Sequence, residues 1–210
     1  MGEKKIIIRN AREGDIPTIR EMELASWGEE LAATEEMFRA RLEVFPKGVF
    51  VALMGERLVG VVVTEILANY DLARPTPKWL ATTDNGFIRG SHDPKGDTFF
   101  GVDLSTVLDV DRARIGTMLV ERERLLLQDL GLKRGVLGSR IPAYHRFAGK
   151  MPVEEYVWAR DPQTGLLLDW QLNFYSQMGF APVKIMPDYI EDPESMNFGV
   201  IVVWENPRRP

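Results

Sequence analysis

The chain has 210 residues, 45% of them hydrophobic and 27% charged, with a net charge of −5. This is the composition of a folded globular protein of one domain with room for one sizeable core, and the negative balance argues against nucleic acid as a partner. There is no cysteine, which excludes disulfides, thiolate nucleophiles and cysteine metal sites and fits a reducing, cytoplasmic setting; no apolar run spans a membrane, and Met1–Ile8 is too short for a signal peptide.

In chain order, Ile6–Arg9 is a β-branched run that predicts a first strand. Asp15 is placed to cap a helix whose first turn holds Pro17 and whose apolar face carries Ile19, Met22 and Leu24, ending near Trp27-Gly28. Thr34 caps a second helix with Met37, Phe38, Leu42 and Phe45 at helical spacing, stopped by Pro46-Lys47-Gly48. Val49–Met54 and Leu58–Ile66 flank Gly55-Glu56-Arg57 as a hairpin. Residues 69–96 form a long aperiodic loop rich in Pro, Gly, Asp and Thr, a length that usually signals function or mobility.

Then come an apolar strand (Thr98–Leu108), a short loop (Asp109–Arg114) and an amphipathic helix (Ile115–Leu130) closed by Gly131 as a left-handed C-cap. Arg134–Leu137 predicts a further strand. Residues 141–165 are irregular, with short helical pieces at Tyr144–Phe147 and Glu154–Trp158. Leu166–Met178 is helical, and Phe180–Met186 and Phe198–Trp204 are closing strands. Helices interleaved with strands around a central hairpin imply an α/β protein: one mixed sheet with helices on both faces.

The strand–loop–helix at 98–130 is the most informative segment. The first N–H groups of such a helix lack intrahelical partners and, with the helix dipole, attract phosphates; Arg112 and Arg114 add charge at that mouth. Two other readings stay open. Asp109-Val110-Asp111 resembles the aspartate pair of haloacid-dehalogenase-type phosphatases, although that family has Thr or Val where Ala113 stands. Alternatively, Asp109 or Asp111 caps the helix with its own carboxylate. There is no G-x-G-x-x-G, P-loop, G-x-S-x-G or H-E-x-x-H, and the only histidines, His92 and His145, lie in different segments, so no metal site is expected.

Phe174-Tyr175-Ser176-Gln177-Met178-Gly179-Phe180 resembles the F-Y-x-x-x-G-F signature that ends the last helix of GNAT-type N-acetyltransferases, and the element order from Ile6 to Trp204 is similar to theirs. The stretches 83–86, 92–98, 140–145, 151–157 and 185–195 resemble a GNAT subgroup often fused to a carbon–nitrogen hydrolase domain, which a chain ending at Pro210 would lack. The resemblance implies a GNAT fold: a single, mostly antiparallel sheet of 6–7 strands with insertions at about 69–96 and 141–165. It also implies acetyl-CoA as cosubstrate and transfer of acetyl to a primary amine of a small molecule or peptide, in a domain of a kind that often dimerises. A non-catalytic acyl-CoA-binding module is the alternative.

Mapped residue by residue, the family's pyrophosphate loop falls on Asp111-Arg112-Ala113-Arg114-Ile115-Gly116. Gly116 matches the last glycine, while Arg114 stands for the middle glycine and Asp111 for the leading basic residue. The resemblance therefore implies cofactor contacts from Val107, Leu108, Asp109 and Val110, where strands four and five should splay, and from Arg112, Ala113, Arg114, Ile115, Gly116 and Thr117. Tyr175 matches the tyrosine that protonates the departing thiolate. Asp103 and His145 are the expected bases, with Glu65 a weaker one. Trp27, Trp170 and Phe174 read as core. Arg122, Arg124, Lys133 and Arg134 read as a solvated face, some members of which could meet the 3′-phosphate of CoA.

Overall fold

The computed structural model describes residues 5–74 and 76–209. Seven strands, β1 (Ile6–Asn10), β2 (Val49–Met54), β3 (Arg57–Leu67), β4 (Thr98–Thr106), β5 (Arg134–Arg140), β6 (Ala181–Met186) and β7 (Gly199–Glu205), form one sheet in the order β1-β2-β3-β4-β5-β7-β6. Every pairing is antiparallel except that of β4 with β5. The helices are α1 (Ile16–Leu31), α2 (Glu35–Val44), α3 (Trp79–Thr82), α4 (Arg112–Asp129), α5 (Val153–Tyr156) and α6 (Trp170–Gln177). The mixed, mostly antiparallel sheet is the architecture the sequence implied.

The sheet is covered on both sides. β3 is buried at every residue after Arg57, as a strand roofed by helices on both faces should be. Alternation puts Gly60, Val62 and the paired Phe50 and Leu104 under α4, and Val63 with its partner Asp103 on the opposite face, under α1 and α2. Ile115, Leu119 and Leu127 are α4's fully buried contribution, each worth about 1.5–3 kcal/mol relative to exposure.

Caps and turns account for most boundary differences. Asp15 sits at the predicted N-cap position, but its carboxylate is taken by Arg9 (2.7 Å) and the Arg12 N–H (2.7 Å). α1 continues past Trp27 to Leu31, bending at Gly28, whose φ of 73° suits glycine. Thr34 caps α2 as expected, accepting the Met37 N–H at 3.2 Å. α4 starts at Arg112 rather than Ile115, because the Asp111 carboxylate accepts the Arg114 N–H at 3.0 Å. α6 starts at Trp170 rather than Leu166, since buried Asp169 accepts the N–H groups of Gln171 and Leu172. The same carboxylate takes the Tyr156 hydroxyl (3.1 Å) and the Ala143 N–H (3.2 Å), so one cap ties the 141–165 segment to α6.

The 69–96 segment is a series of tight turns around α3, pinned to the sheet. Arg41 Nε donates to the Gly86 carbonyl (2.8 Å), Ser91 donates to Glu65 (2.5 Å), and the Ile66 N–H donates to His92 Nδ1 (3.1 Å). Between β6 and β7, the chain lays the Tyr189 ring flat across β5 and β7. A Cβ on Gly138 or Gly199 would stand 2.1–2.3 Å from that ring.

Gly138→Ala is therefore expected to displace Tyr189 and destabilise the fold by about 1–3 kcal/mol, a fall of about 2–4 °C in melting temperature per kcal/mol. Thermal unfolding checks this, and an unchanged Tm would show that the ring is not held there.

Candidate functional site

β4 and β5 pair over only four residues, from Thr98↔Arg134 to Gly101↔Leu137. Beyond that point β4 stays with β3 as far as Thr106 and β5 stays with β7 as far as Arg140, so the two parallel strands part like a wedge. A cavity of about 520 Å³ fills the wedge and passes through the sheet. Glu23, Trp27 and Arg41 line it from the α1/α2 side, and Val120, Glu123 and Tyr175 line it from the α4/α6 side.

On the α1/α2 side, Arg41 is fully buried and bonds Asp103 at 3.0 Å. Glu23 lies in the same cluster, 1% exposed; its Oε2 accepts the Ala33 N–H at 3.3 Å and its Oε1 has no partner among the described residues. Burial, and next the charge of Asp103, push the Glu23 carboxyl up to about 8. Two indoles flank the cluster: Trp27 donates its N–H to Ser105 Oγ at 2.7 Å, and Trp79 donates to the Val102 carbonyl at 3.0 Å.

On the α4/α6 side, burial, and next the charge of Glu123, push the Tyr175 phenol well above its ordinary value. Glu123 is itself buried, with Oε1 unpartnered among the described residues, and burial raises its carboxyl strongly. It lies on the same face of α4 as Val120 and Gly116, two helical turns beyond Gly116. At Gly116 a Cβ would come within 2.9 Å of the Phe174 ring, so that glycine seats α6 against α4.

Several expected site residues lie elsewhere. The strands part at Val102 and Gly138, not at Val107–Val110, which form the turn after β4. None of the residues from Val107 to Thr117 lines the cavity; they form the mouth of α4 above it. Leu108 is 61% exposed. Asp109 makes a bidentate pair with Arg57 (2.7 and 2.9 Å), and Asp111 caps α4, so the two aspartates of the phosphatase reading serve separate structural roles. Arg112 Nε donates to Thr106 Oγ1 at 3.1 Å.

Asp103 reaches the cavity but is bound to Arg41, which leaves Glu23 as the buried carboxyl with an unbonded oxygen on the α1/α2 side. His145 is exposed, with Nδ1 2.9 Å from the Pro142 carbonyl and 3.1 Å from that of Glu194, and does not line the cavity. Glu65 is buried behind it on Ser91 and pushed up to about 8 by burial. Of the expected solvated face only Lys133 is exposed. Arg122 stacks on Phe50, Arg124 on Trp204, and Arg134 bonds the Tyr70 carbonyl. Trp27 is a cavity wall rather than core, and Trp170 is 58% exposed.

Glu23, Arg41, Glu123 and Trp79 are cavity residues that sequence reasoning passed over. A signal was present for two of them: Glu23 follows Ile19 by one turn and Arg41 follows Phe38 by three residues, each a charge on an apolar helix face.

No protein-family model matches the sequence. Two Bacillus subtilis (strain 168) proteins are each 31% identical to it over 205 residues: the uncharacterized N-acetyltransferase YkwB, covering 96% of this chain and 89% of YkwB, and the probable hydrolase YhcX, covering 97% of this chain but 39% of YhcX. The chain belongs to the GNAT N-acetyltransferase family. Among solved structures, the GNAT fold is shared by the loading GNATL domain of CurA from Lyngbya majuscula (TM-score 0.83, 21% identity, 96% of this chain and 98% of that one). It is shared too by the GphF GNAT-like decarboxylase in complex with isobutyryl-CoA (TM-score 0.75, 24% identity, 95% and 98%). No helix among the described residues of this GNAT chain is long and apolar enough to cross a membrane.

Glu23, Glu65 and Glu123 all have folded pKa values raised above an ordinary value of 4.5. The native state holds these protons while the unfolded chain releases them, so stability is greatest below about pH 4.5 for these groups and falls as pH rises toward 8. Glu123→Gln is expected to raise the denaturation midpoint at pH 8 and to leave it nearly unchanged at pH 4.5; equal effects at both pH values would contradict a buried neutral carboxyl.

Proposed function

We propose that this chain transfers an acetyl group from acetyl-CoA to a primary amine of a small molecule or peptide by direct attack, with no covalent enzyme intermediate. The observation that carries this reading is the wedge between β4 and β5, with a buried phenol, Tyr175, on one side and an incompletely bonded carboxyl, Glu23, on the other.

The residues suit the cosubstrate. Arg112 and Arg114 in the first turn of the 18-residue α4 supply charge for a diphosphate, and the helix dipole adds to it. The Asp111 carboxylate now occupies the Arg114 N–H, so the diphosphate either displaces it or binds through the arginine side chains. Val120 and Glu123 of α4 line the wedge where the pantetheine arm lies, and strand separation there frees backbone groups for the thioester.

In the ionised form, Glu23 removes a proton from the substrate ammonium. Glu23 passes that proton to solvent; the neutral nitrogen attacks the thioester carbonyl, a C–N bond forms, the nitrogen's second proton goes to Glu23 as the C–S bond breaks, and Tyr175 gives its proton to the leaving thiolate and regains one from solvent. Arg41 holds Asp103 beside Glu23, and the Asp103 charge helps raise the base into a range that suits an amine substrate. Since Glu23 is protonated below about pH 8 and ionised above it, turnover should rise with pH around that value.

Tyr175→Phe is expected to lower kcat by about 10²-fold or more with unchanged CoA affinity, and Glu23→Gln to abolish the rise of rate near pH 8. Full activity in either variant, measured by thiol release, would remove that residue from its role. Arg112→Ala with Arg114→Ala should weaken CoA binding by calorimetry and flatten its salt dependence; unchanged affinity would place the diphosphate elsewhere.

Shape favours a second reading. The likeness to the GphF GNAT-like decarboxylase is close at TM-score 0.75, which supports decarboxylation of a carboxyl-bearing acyl-CoA in the same wedge. That reading requires CO₂ release from such a thioester without any amine, whereas acetyl transfer requires thiol release that depends on the amine.

A further inference from the structure

The acceptor half of the cavity specifies more than an amine, and the following rests on the acetyl-transfer reading. Trp27 and Trp79 stand on either side of the Glu23–Asp103–Arg41 cluster, and each has spent its only donor on β4, one on Ser105 Oγ at 2.7 Å and the other on the Val102 carbonyl at 3.0 Å. The rings are therefore fixed in orientation and offer a ligand only carbon. Arg140, which also lines the cavity, holds its guanidinium 5.2 Å from the Trp27 ring and is clamped by Asp192 at 2.7 and 2.8 Å. Met37 and Ile190 continue the apolar lining.

Within this lining Glu23 is a carboxyl with an unbonded oxygen, beside the Arg41 Nη2 and Tyr189 hydroxyl, which also lack partners among the described residues. It is 1% exposed and its Oε1 is unbonded among the described residues. An ammonium seated on that oxygen has its carbon body against the indoles, where ring faces attract both a cation and an apolar group. Hydroxyls or peptide groups on the same body would find no donor on the indoles, because both indole N–H groups are already used. Glu30, Asp188 and Glu191 at the mouth, with Lys78 as the opposing charge there, favour entry of a cation.

We propose that the acceptor is a primary amine on a short methylene arm attached to an aromatic or bulky apolar body, the class of 2-phenylethylamine and tryptamine. Glu23 receives the ammonium, and Trp27 and Trp79 grip the body.

Two measurements test this. Thiol release from acetyl-CoA at pH 8 is compared for 2-phenylethylamine, tryptamine, glucosamine and a dialanyl peptide, and amine binding is followed by tryptophan fluorescence with no thioester present. The expected result is a kcat/KM at least tenfold higher for the two arylalkylamines. In Trp79→Leu the 2-phenylethylamine concentration for half-maximal quenching should rise about tenfold, and so should the KM for 2-phenylethylamine, with kcat within twofold. Preference for glucosamine or the peptide, or a Trp79→Leu enzyme that keeps the arylalkylamine preference, overturns the proposal. Quenching without thiol release from any amine leaves the binding class standing and removes acetyl transfer. Neither quenching nor turnover with the arylalkylamines removes the proposed acceptor.

Discussion

The short parallel pairing of β4 with β5 is the constraint on which the rest depends. Parallel strands need a crossover, and α4 is that crossover; strand twist then carries the two apart unless further hydrogen bonds hold them. Here the ladder ends at Gly101↔Leu137, because each strand has a better partner on its other side: β3 follows β4 through a bulge between Val63 and Thr64, and β7 follows β5 for its full length. A cavity, freed backbone groups and an α4 face leading into both follow from that one register.

Charge placement within the wedge follows a second economy. The buried guanidinium of Arg41 serves a buried acidic cluster and bonds Asp103 but not Glu23. Its Nε is spent on Gly86, so the same side chain anchors the 69–96 segment and thereby positions Trp79. An incompletely bonded buried carboxyl is costly and takes up a proton where it can. Burial raises the Glu23 and Glu123 carboxyls on opposite sides of the opening, a perturbation of the kind that functional sites concentrate.

The mouth of α4 combines two uses of one helix terminus. Asp111 satisfies an N–H that would otherwise face solvent, and Arg57 neutralises Asp109 next to it, so the two carboxylates there are held by partners within the chain. Arg112 is tethered to Thr106. The result is a terminus stable without ligand whose capping carboxylate stands where an anion would go.

The element order, the Thr34 cap, the β2–β3 hairpin and the α/β class were legible in the sequence, because hydrophobic period and capping chemistry are local. So was the last helix that carries Tyr175, through the short signature around it. The position of the splay was not: it depends on which neighbour each strand prefers, a comparison of hydrogen bonds between segments far apart in the chain. His145 and Asp103 looked alike as potential bases for the same reason. Only the tertiary structure turns His145 toward two carbonyls outside the cavity, ties Asp103 to Arg41, and brings Glu23, eighty residues from Asp103, into the wedge. Local residue pattern decided what the segments are. Burial and long-range pairing, which set the protonation and reach of each side chain, decided which of them line the cavity.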